Sequence, residues 1–446
     1  MSNSISRQFW RYTIPTVAAM LVNGLNHQVV DGIFIGRYVG ADGLAGINVA
    51  WPVIGSILGI GMLVGVGTGA LVSIRQGEKD TKGAKKILAT GLTLLLAITP
   101  IVSGLLFLFA DNFLLWQGAE GRVYELGLQY LHILIGASVF TLGSIAMPFL
   151  LRNDDSPNLA TILMIVGAVI NIVLDYLFIA QLGWELKGAA LATAIAQFVV
   201  TGLGLAYFFS RRANLRLRWN ELRLKLSVIP EIFAIGTSSF FMYAYGSMMV
   251  ALHNALFSQY GDQLMIGAYA ILGYIVTVYY LTAEGIANGM QPLVSYNHGA
   301  RNQANIRKLL KIAMVSSVLI GVAFVLLLNA FPREFVSVFS SDEPQLVEYT
   351  VLGIRLHMFA LALDGFLVVA GAYYQAVNKG SKAMFVTIGN MLIQLPFLYI
   401  MPKLYGVPGI WIAYPLSNIA LSVVVMIMLY KDVKKLDDAP LETVTA

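Results

Sequence analysis

The sequence is short of charge and has no cysteine at all. Of 446 residues only 12% are charged, and cysteine is absent. A soluble domain carries about 25% charged residues. The deficit excludes an ordinary soluble enzyme and a solvated disordered chain, and the missing cysteines exclude a disulfide scaffold. No phosphate-binding loop, zinc spacing or nucleophile motif is present. What fills the chain is apolar: 58% of residues are hydrophobic and 42 are glycine, with a mean hydropathy of +0.74. A bilayer crossing takes about 20 apolar residues plus a short connection. The length therefore accommodates about twelve crossings, with no room for a long soluble domain.

The apolar runs predict helical spans at 8–36, 44–74, 86–109, 122–150, 157–181, 185–208, 228–258, 265–296, 306–331, 345–376, 381–402 and 407–430. Lipid admits only helices or closed barrels, and the period-two alternation of a barrel is missing. The expected fold class is an all-α polytopic membrane protein of twelve transmembrane helices. The first run continues to residue 36 with no small-residue cleavage site, so it reads as a span and not as a cleaved signal. Of the 29 Lys and Arg residues, 23 fall at one set of span ends, among them Arg75–Lys86, Arg211–Lys225 and Lys431–Lys435. Positive charge marks the cytoplasmic side. Both termini and the even-numbered loops are accordingly expected in the cytoplasm. The basic stretch from Arg211 to Lys225 reads as topogenic charge beside anionic lipid, and no nucleic-acid partner is expected.

The chain also repeats itself. LVSIRQGEKDTKGAKKIL (71–88) aligns with LVSYNHGARNQANIRKLL (293–310) at an offset of 222. Leu131–His132 meets Leu356–His357 at offset 225, and Gly188 and Ala192 meet Gly409 and Ala413 at offset 221. This predicts two pseudo-symmetric six-helix lobes, 1–217 and 218–446, joined by a basic cytoplasmic linker at about 210–227. An even number of spans gives both copies the same orientation, the parallel-repeat plan of many transporters.

The segments VVDGIFIGRYVGADGLAG (29–46) and QPLVSYNHGARN (291–302), with twelve spans in two halves, resemble the multidrug and toxic compound extrusion (MATE) transporters, in their bacterial multidrug and DinF-like branch. The resemblance covers essentially the whole chain. It implies a non-enzymatic secondary antiporter, acting as a monomer in the bacterial inner membrane. Such a protein exports small lipophilic, often cationic compounds in exchange for Na+ or H+, and needs no other cofactor. A lipid-linked saccharide flippase of the related superfamily, a polytopic membrane transferase and a passive channel are the alternatives. The transferase would need an acidic metal motif, for which Asp154–Asp155 is the one candidate.

Charges at mid-bilayer are costly, so each is a functional candidate. Asp31 lies in the first span, four residues after His27 and on the same helical face. Span 5 carries Asn171 and Asp175, again four apart, and span 6 carries Thr193 with Gln197 a turn later. Two carboxylates, an amide and a hydroxyl supply the hard oxygens that Na+ wants, and a close acid pair also binds protons. The resemblance implies that Asp31, Asn171, Asp175 and Thr193 form the cation site of the N-terminal lobe.

In the second half the repeat sets His253 opposite Asp31. Glu284 sits on a polar stripe with Thr277, Tyr280, Asn288, Gln291 and Ser295, and His357 and Asp364 are read as sharing one stripe of span 10. His27, Gln197, His253, Tyr280, Glu284, Asn288, Gln291, His357 and Asp364 are thus the further coupling or substrate residues. Phe240, Phe241, Met242, Tyr243, Tyr245, Met248, Met249, Tyr274 and Tyr279 offer an aromatic and methionine surface suited to varied cationic ligands.

Overall fold

The computed structural model describes residues 4–26, 30–339 and 343–437. The first half contains helices α1 (Ile5–Leu25), α2 (Asp31–Tyr38), α3 (Ala41–Gly77), α4 (Thr81–Trp116), α5 (Gly121–Gly136), α6 (Ser138–Asn153), α7 (Pro157–Asp175) and α8 (Glu185–Phe209). The second contains α9 (Ile229–Tyr260), α10 (Gln263–Gly299), α11 (Gln303–Ala330), the short α12 (Pro332–Ser337), α13 (Pro344–His357), α14 (Leu361–Ala376), α15 (Gly380–Tyr405) and α16 (Val407–Asp437). Among the described residues, nine helices are long and apolar enough to span a bilayer. The bent pairs α5–α6 and α13–α14 raise the number to eleven. Helices α1 and α2, on either side of residues 27–29, occupy the first of the twelve expected spans.

Two spans read as continuous are bent, and a third changes helix type within its length. The segments expected at 122–150 and 345–376 bend by 64° and 55°, at Ala137 and at Met358–Ala360. His357 and Asp364 consequently sit on different helices, α13 and α14, and the single stripe expected of them is broken. Span 5 changes register directly after Asp175, where Tyr176–Gln181 forms a π-helical turn. Such turns insert an extra residue and often mark functional positions. Hydropathy sees none of these breaks, because the bent segments are as apolar as the straight ones.

Local chemistry sets the boundaries. Asp80 caps α4 by accepting the Gly83 N–H at 2.8 Å, and 222 positions later Asn302 caps α11 by accepting the Asn305 N–H at 3.1 Å. The residues just before them, Lys79 and Arg301, both hold left-handed backbone, with φ of 62° and 53°. Asp155 and Asn378 (φ 58° and 55°) form another such pair, and Gly183 and Gly406 (φ 66° and 63°) a third. Left-handed backbone is costly for any residue with a Cβ, so its recurrence in the first two pairs, at offsets of 222 and 223, is strong evidence of copied turns.

Helix packing divides the molecule into two compact units, Arg11–Ser247 and Met248–Ala446 with Met1–Trp10. Within the first unit α3 packs on α4, α5 and α6, while α8 packs on α5, α6 and α7. Within the second, α10 packs on α11, α13 and α14, while α16 packs on α13, α14 and α15. The two neighbour schemes are the same one helix for helix. The first unit also takes the start of α9. A Cβ at Gly67 of α3 or Gly236 of α9 would collide with the other helix's backbone, at Ile232 and Leu63 respectively. Glycine permits this close approach, as it does between helices in membranes generally.

Candidate functional site

A buried polar cluster inside the first unit lies where the end of α1 and the start of α2 meet α7 and α8. Asp31 is the first residue of α2, and α2 packs against α3, α7, α8 and the π-helical turn. This packing aims Asp31 at the end of α7. There Asn171 and Asp175 are 2% and 1% exposed, and Thr193 of α8 is 8% exposed. Asn26, just past the end of α1, donates from Nδ2 to Asn171 Oδ1 at 2.8 Å. Asn171 in turn donates from Nδ2 to Thr193 Oγ1 at 3.4 Å. The four residues proposed from the sequence are thus brought together.

The cluster has an excess of acceptors. Both carboxylate oxygens of Asp175 and the Oδ1 of Asn26 are buried with no hydrogen-bond donor. The charged group that reaches Asp175 is another carboxyl, Asp31. Two carboxyls can bond only if one of them carries a proton. Leaving a buried acceptor without a donor costs about 1–3 kcal/mol, and more when it is charged. A cation, whether a proton or a hard metal ion, removes that cost.

Sequence reasoning missed two members of this neighbourhood. Asn26 carries one of the unpartnered oxygens, and Tyr130 of α5 is buried within electrostatic range of both carboxyls. An amide inside an apolar span was the available signal for Asn26. Tyr130 gave none, because tyrosine counts as apolar in a hydropathy reading. His27 lies outside the described residues. Gln197 is turned elsewhere, accepting the Thr141 hydroxyl at 2.6 Å.

The other predicted residues fall in the second unit, where Tyr414 links Asp364 and Tyr280 to His357 and, through it, to His253. Asp364 is 3% exposed and well supplied with donors. The Tyr280 hydroxyl donates to its Oδ2 at 2.7 Å, and Asn418 Nδ2 donates to its Oδ1. Tyr280 also lies 2.9 Å from the Tyr414 hydroxyl. His253 and His357 belong to an aromatic nest. His253 stacks on Tyr269 at 4.9 Å and meets the His357 ring edge-on at 5.7 Å. Their Nδ1 atoms lie 2.8 Å from the carbonyls of Met249 and Trp411 respectively. Gln291 donates to Ser295 at 2.9 Å, and Ser295 donates to the Ala376 carbonyl at 3.0 Å. Glu284 and Asn288 are half-buried on α10. Of the aromatic and methionine residues, Tyr279 and Met249 are core, whereas Phe241, Met248 and Tyr274 are exposed.

Two copies of one helical unit, spanning a membrane and enclosing ionisable groups, define a polytopic transporter. The MatE family profile matches residues 15–177 and again 238–400, the second match starting 223 positions after the first. The chain belongs to the MatE family of membrane transporters, and it is a transporter, not an enzyme. It is 25% identical to the multidrug export protein MepA of Staphylococcus aureus (strain NCTC 8325 / PS 47), over 98% of this chain and 96% of that one. In fold it is similar to a multidrug resistance MATE family transporter of the MOP superfamily in its outward-facing conformation (TM-score 0.91, 22% identity, 98% of each chain). It is likewise similar to a MOP superfamily transporter from Pyrococcus furiosus described as having a binding pocket of reverse polarity (TM-score 0.92, 23% identity, 98% of each chain).

Proposed function

We propose that this protein is a secondary antiporter that exports small lipophilic, often cationic drugs or toxins in exchange for Na+ or H+. It works as a monomer in the bacterial cytoplasmic membrane with both termini inside, and its lobes are 1–217 and 218–446. The observation that carries the reading is the set of donor-free buried oxygens on Asp175 and Asn26 beside Asp31. Such a set binds a cation or remains unstable, so its occupancy follows the ion gradient. Asp31, Asn171, Asp175 and Thr193 are the proposed ion-binding residues. Among the described residues no three His, Cys, Asp or Glu side chains gather as a metal ligand set. With two carboxyls, the cluster suits one monovalent ion better than a divalent one.

The coupling scheme starts from the vacant acid pair. An ion arriving from outside neutralises it and removes the repulsion between α2 and α7. The end of α1 then moves, because Asn26 ties it to Asn171. Pro15 and Gly24 are the bending points within that span. Loss of the α1 geometry releases the drug outward. An inward gradient supplies the work, with about 2.3 kcal/mol per charge per 100 mV from the potential. The test is Asp31→Asn in everted vesicles, with sodium and pH gradients imposed separately. The gradient that drives wild-type efflux names the ion. Undiminished ion-driven efflux by Asp31→Asn overturns the scheme.

A further inference from the structure

The acidic pair Asp154–Asp155 has no place in the scheme above, yet it is among the best connected polar groups outside the carboxylate cluster. It occupies the turn between α6 and α7. Asp154 is 1% exposed. Its Oδ1 accepts the Leu215 N–H at 2.9 Å, and its Oδ2 accepts the Asn214 N–H at 2.9 Å and the Tyr207 hydroxyl at 2.8 Å. Its backbone carbonyl accepts Asn214 Nδ2 at 2.6 Å. Ser156 lies 2.7 Å from the same Tyr207 hydroxyl. Burial pushes the Asp154 carboxyl up from its ordinary range, and these donors pull it part of the way back. The turn is therefore fastened to the end of α8 and to the basic linker. These bonds use up Asp154 as a metal ligand and make the turn a rigid base.

Asp155 uses that base differently. Its Oδ1 accepts the Tyr12 hydroxyl of α1 at 2.5 Å, and Tyr12 is 6% exposed. A buried phenol on a carboxylate is a charge-assisted bond, stronger than a neutral one. Arg11 approaches the same oxygen only to 4.0 Å, with both side chains at least half exposed, and adds little. Three residues beyond Tyr12 stands Pro15, whose missing N–H leaves the Arg11 carbonyl without its helical partner. Thr16 adds a second local weakness by bonding its hydroxyl back to the Tyr12 carbonyl at 2.7 Å. Beyond these two residues α1 runs on to the Asn26–Asn171 bond. The helix is thus tethered on both sides of its weakest turn.

We infer that Asp155, through the Tyr12 hydroxyl, is a positioning residue that fixes the cytoplasmic end of α1 as the pivot for its ion-driven movement. The inference rests on the antiport reading. With the pivot in place, a push at Asp31 and Asn26 bends α1 at Pro15. Without it, the same push shifts the whole helix, and the bend is not delivered.

The test uses the full-length protein in proteoliposomes, with Tyr12→Phe, Asp155→Ala, Asp155→Asn and the Tyr12→Phe/Asp155→Ala double variant. Tyr12→Phe and Asp155→Ala are expected to lower the maximal ion-driven efflux rate by about five- to tenfold, with half-saturation changed by less than about twofold. Asp155→Asn keeps an acceptor oxygen and is expected to retain more than about half the rate. The double variant is expected to be no worse than either single one, because both remove one bond. The absence of cysteine allows spin labels at Val22→Cys and Val169→Cys, both at exposed positions. The ion-dependent change in that distance is expected to sharpen with Asp155 and to blur in Tyr12→Phe and Asp155→Ala. Thermal unfolding in detergent separates these effects from misfolding. A wild-type rate and distance change in Tyr12→Phe overturns the inference, as does Asp155→Asn behaving like Asp155→Ala. If Asp31→Asn remains coupled, the antiport reading itself fails. If Asp31→Asn is uncoupled while Tyr12→Phe is unaffected, only the pivot falls.

Discussion

Asp175 and Asp364 are both carboxylates buried in the apolar interior of a copied helical unit, and their surroundings are opposite. Asp364 receives donors from Tyr280 and Asn418. Asp175 receives none, and the group that meets it is a second acid. Burial alone therefore does not make an ion site. A buried carboxylate whose lone pairs accept hydrogen bonds is compensated, whereas one whose lone pairs meet no donor bears the full cost of its burial until a proton or cation joins it. The duplicated scaffold supplies both positions, and the donors around them differ.

The largest test of that contrast is Asp175→Asn against Asp364→Asn. The first is expected to cut ion-driven efflux by at least about tenfold, since it removes the charge that attracts the ion. The second is expected to leave the ion concentration for half-maximal efflux unchanged. Its cost should appear in stability instead, at about 1–3 kcal/mol for weakened charge-assisted bonds, read as a lower Tm in detergent. Equal loss of ion response in both would erase the distinction. A smaller effect is expected from Asn26→Ala, which deletes one unpartnered oxygen and the donor to Asn171. Here the ion concentration for half-maximal efflux should rise about three- to tenfold with little change in maximal rate. The smallest is expected from His253→Phe. The buried Nε2 of His253 has no partner, so exchanging it for an apolar ring should alter efflux by less than about twofold. A large loss there would give the position opposite Asp31 an active role after all.

The second unit shows why these roles were hard to read beforehand. His253 aligns with Asp31, and His357 and Asp364 stand seven residues apart, which suggests one stripe. The bend at Met358–Ala360 puts the latter two on different helices, and aromatic neighbours enclose both histidines. Periodicity predicts shared faces only while a helix stays straight. Asn26 was overlooked for a related reason. Spacing from Asp31 singled out His27, which lies outside the described residues, and passed over its neighbour Asn26, which bonds Asn171.

The low charge count and long apolar runs were enough to determine a membrane-spanning helical protein, because lipid leaves the backbone no other choice. The repeat was equally legible, since copied turns keep the caps and left-handed residues that the backbone demands. Asp31 and Asp175 could also be singled out, because ionisable groups inside apolar spans are too costly to be incidental, while Asn171 and Thr193 were implied by the family resemblance. Hydrogen-bond donors come from helices remote in sequence, and only packing determines where they point. Tertiary structure therefore decided that Asp175 lacks donors while Asp364 has them, and that Asp154 and Asp155 fasten a turn and the start of α1.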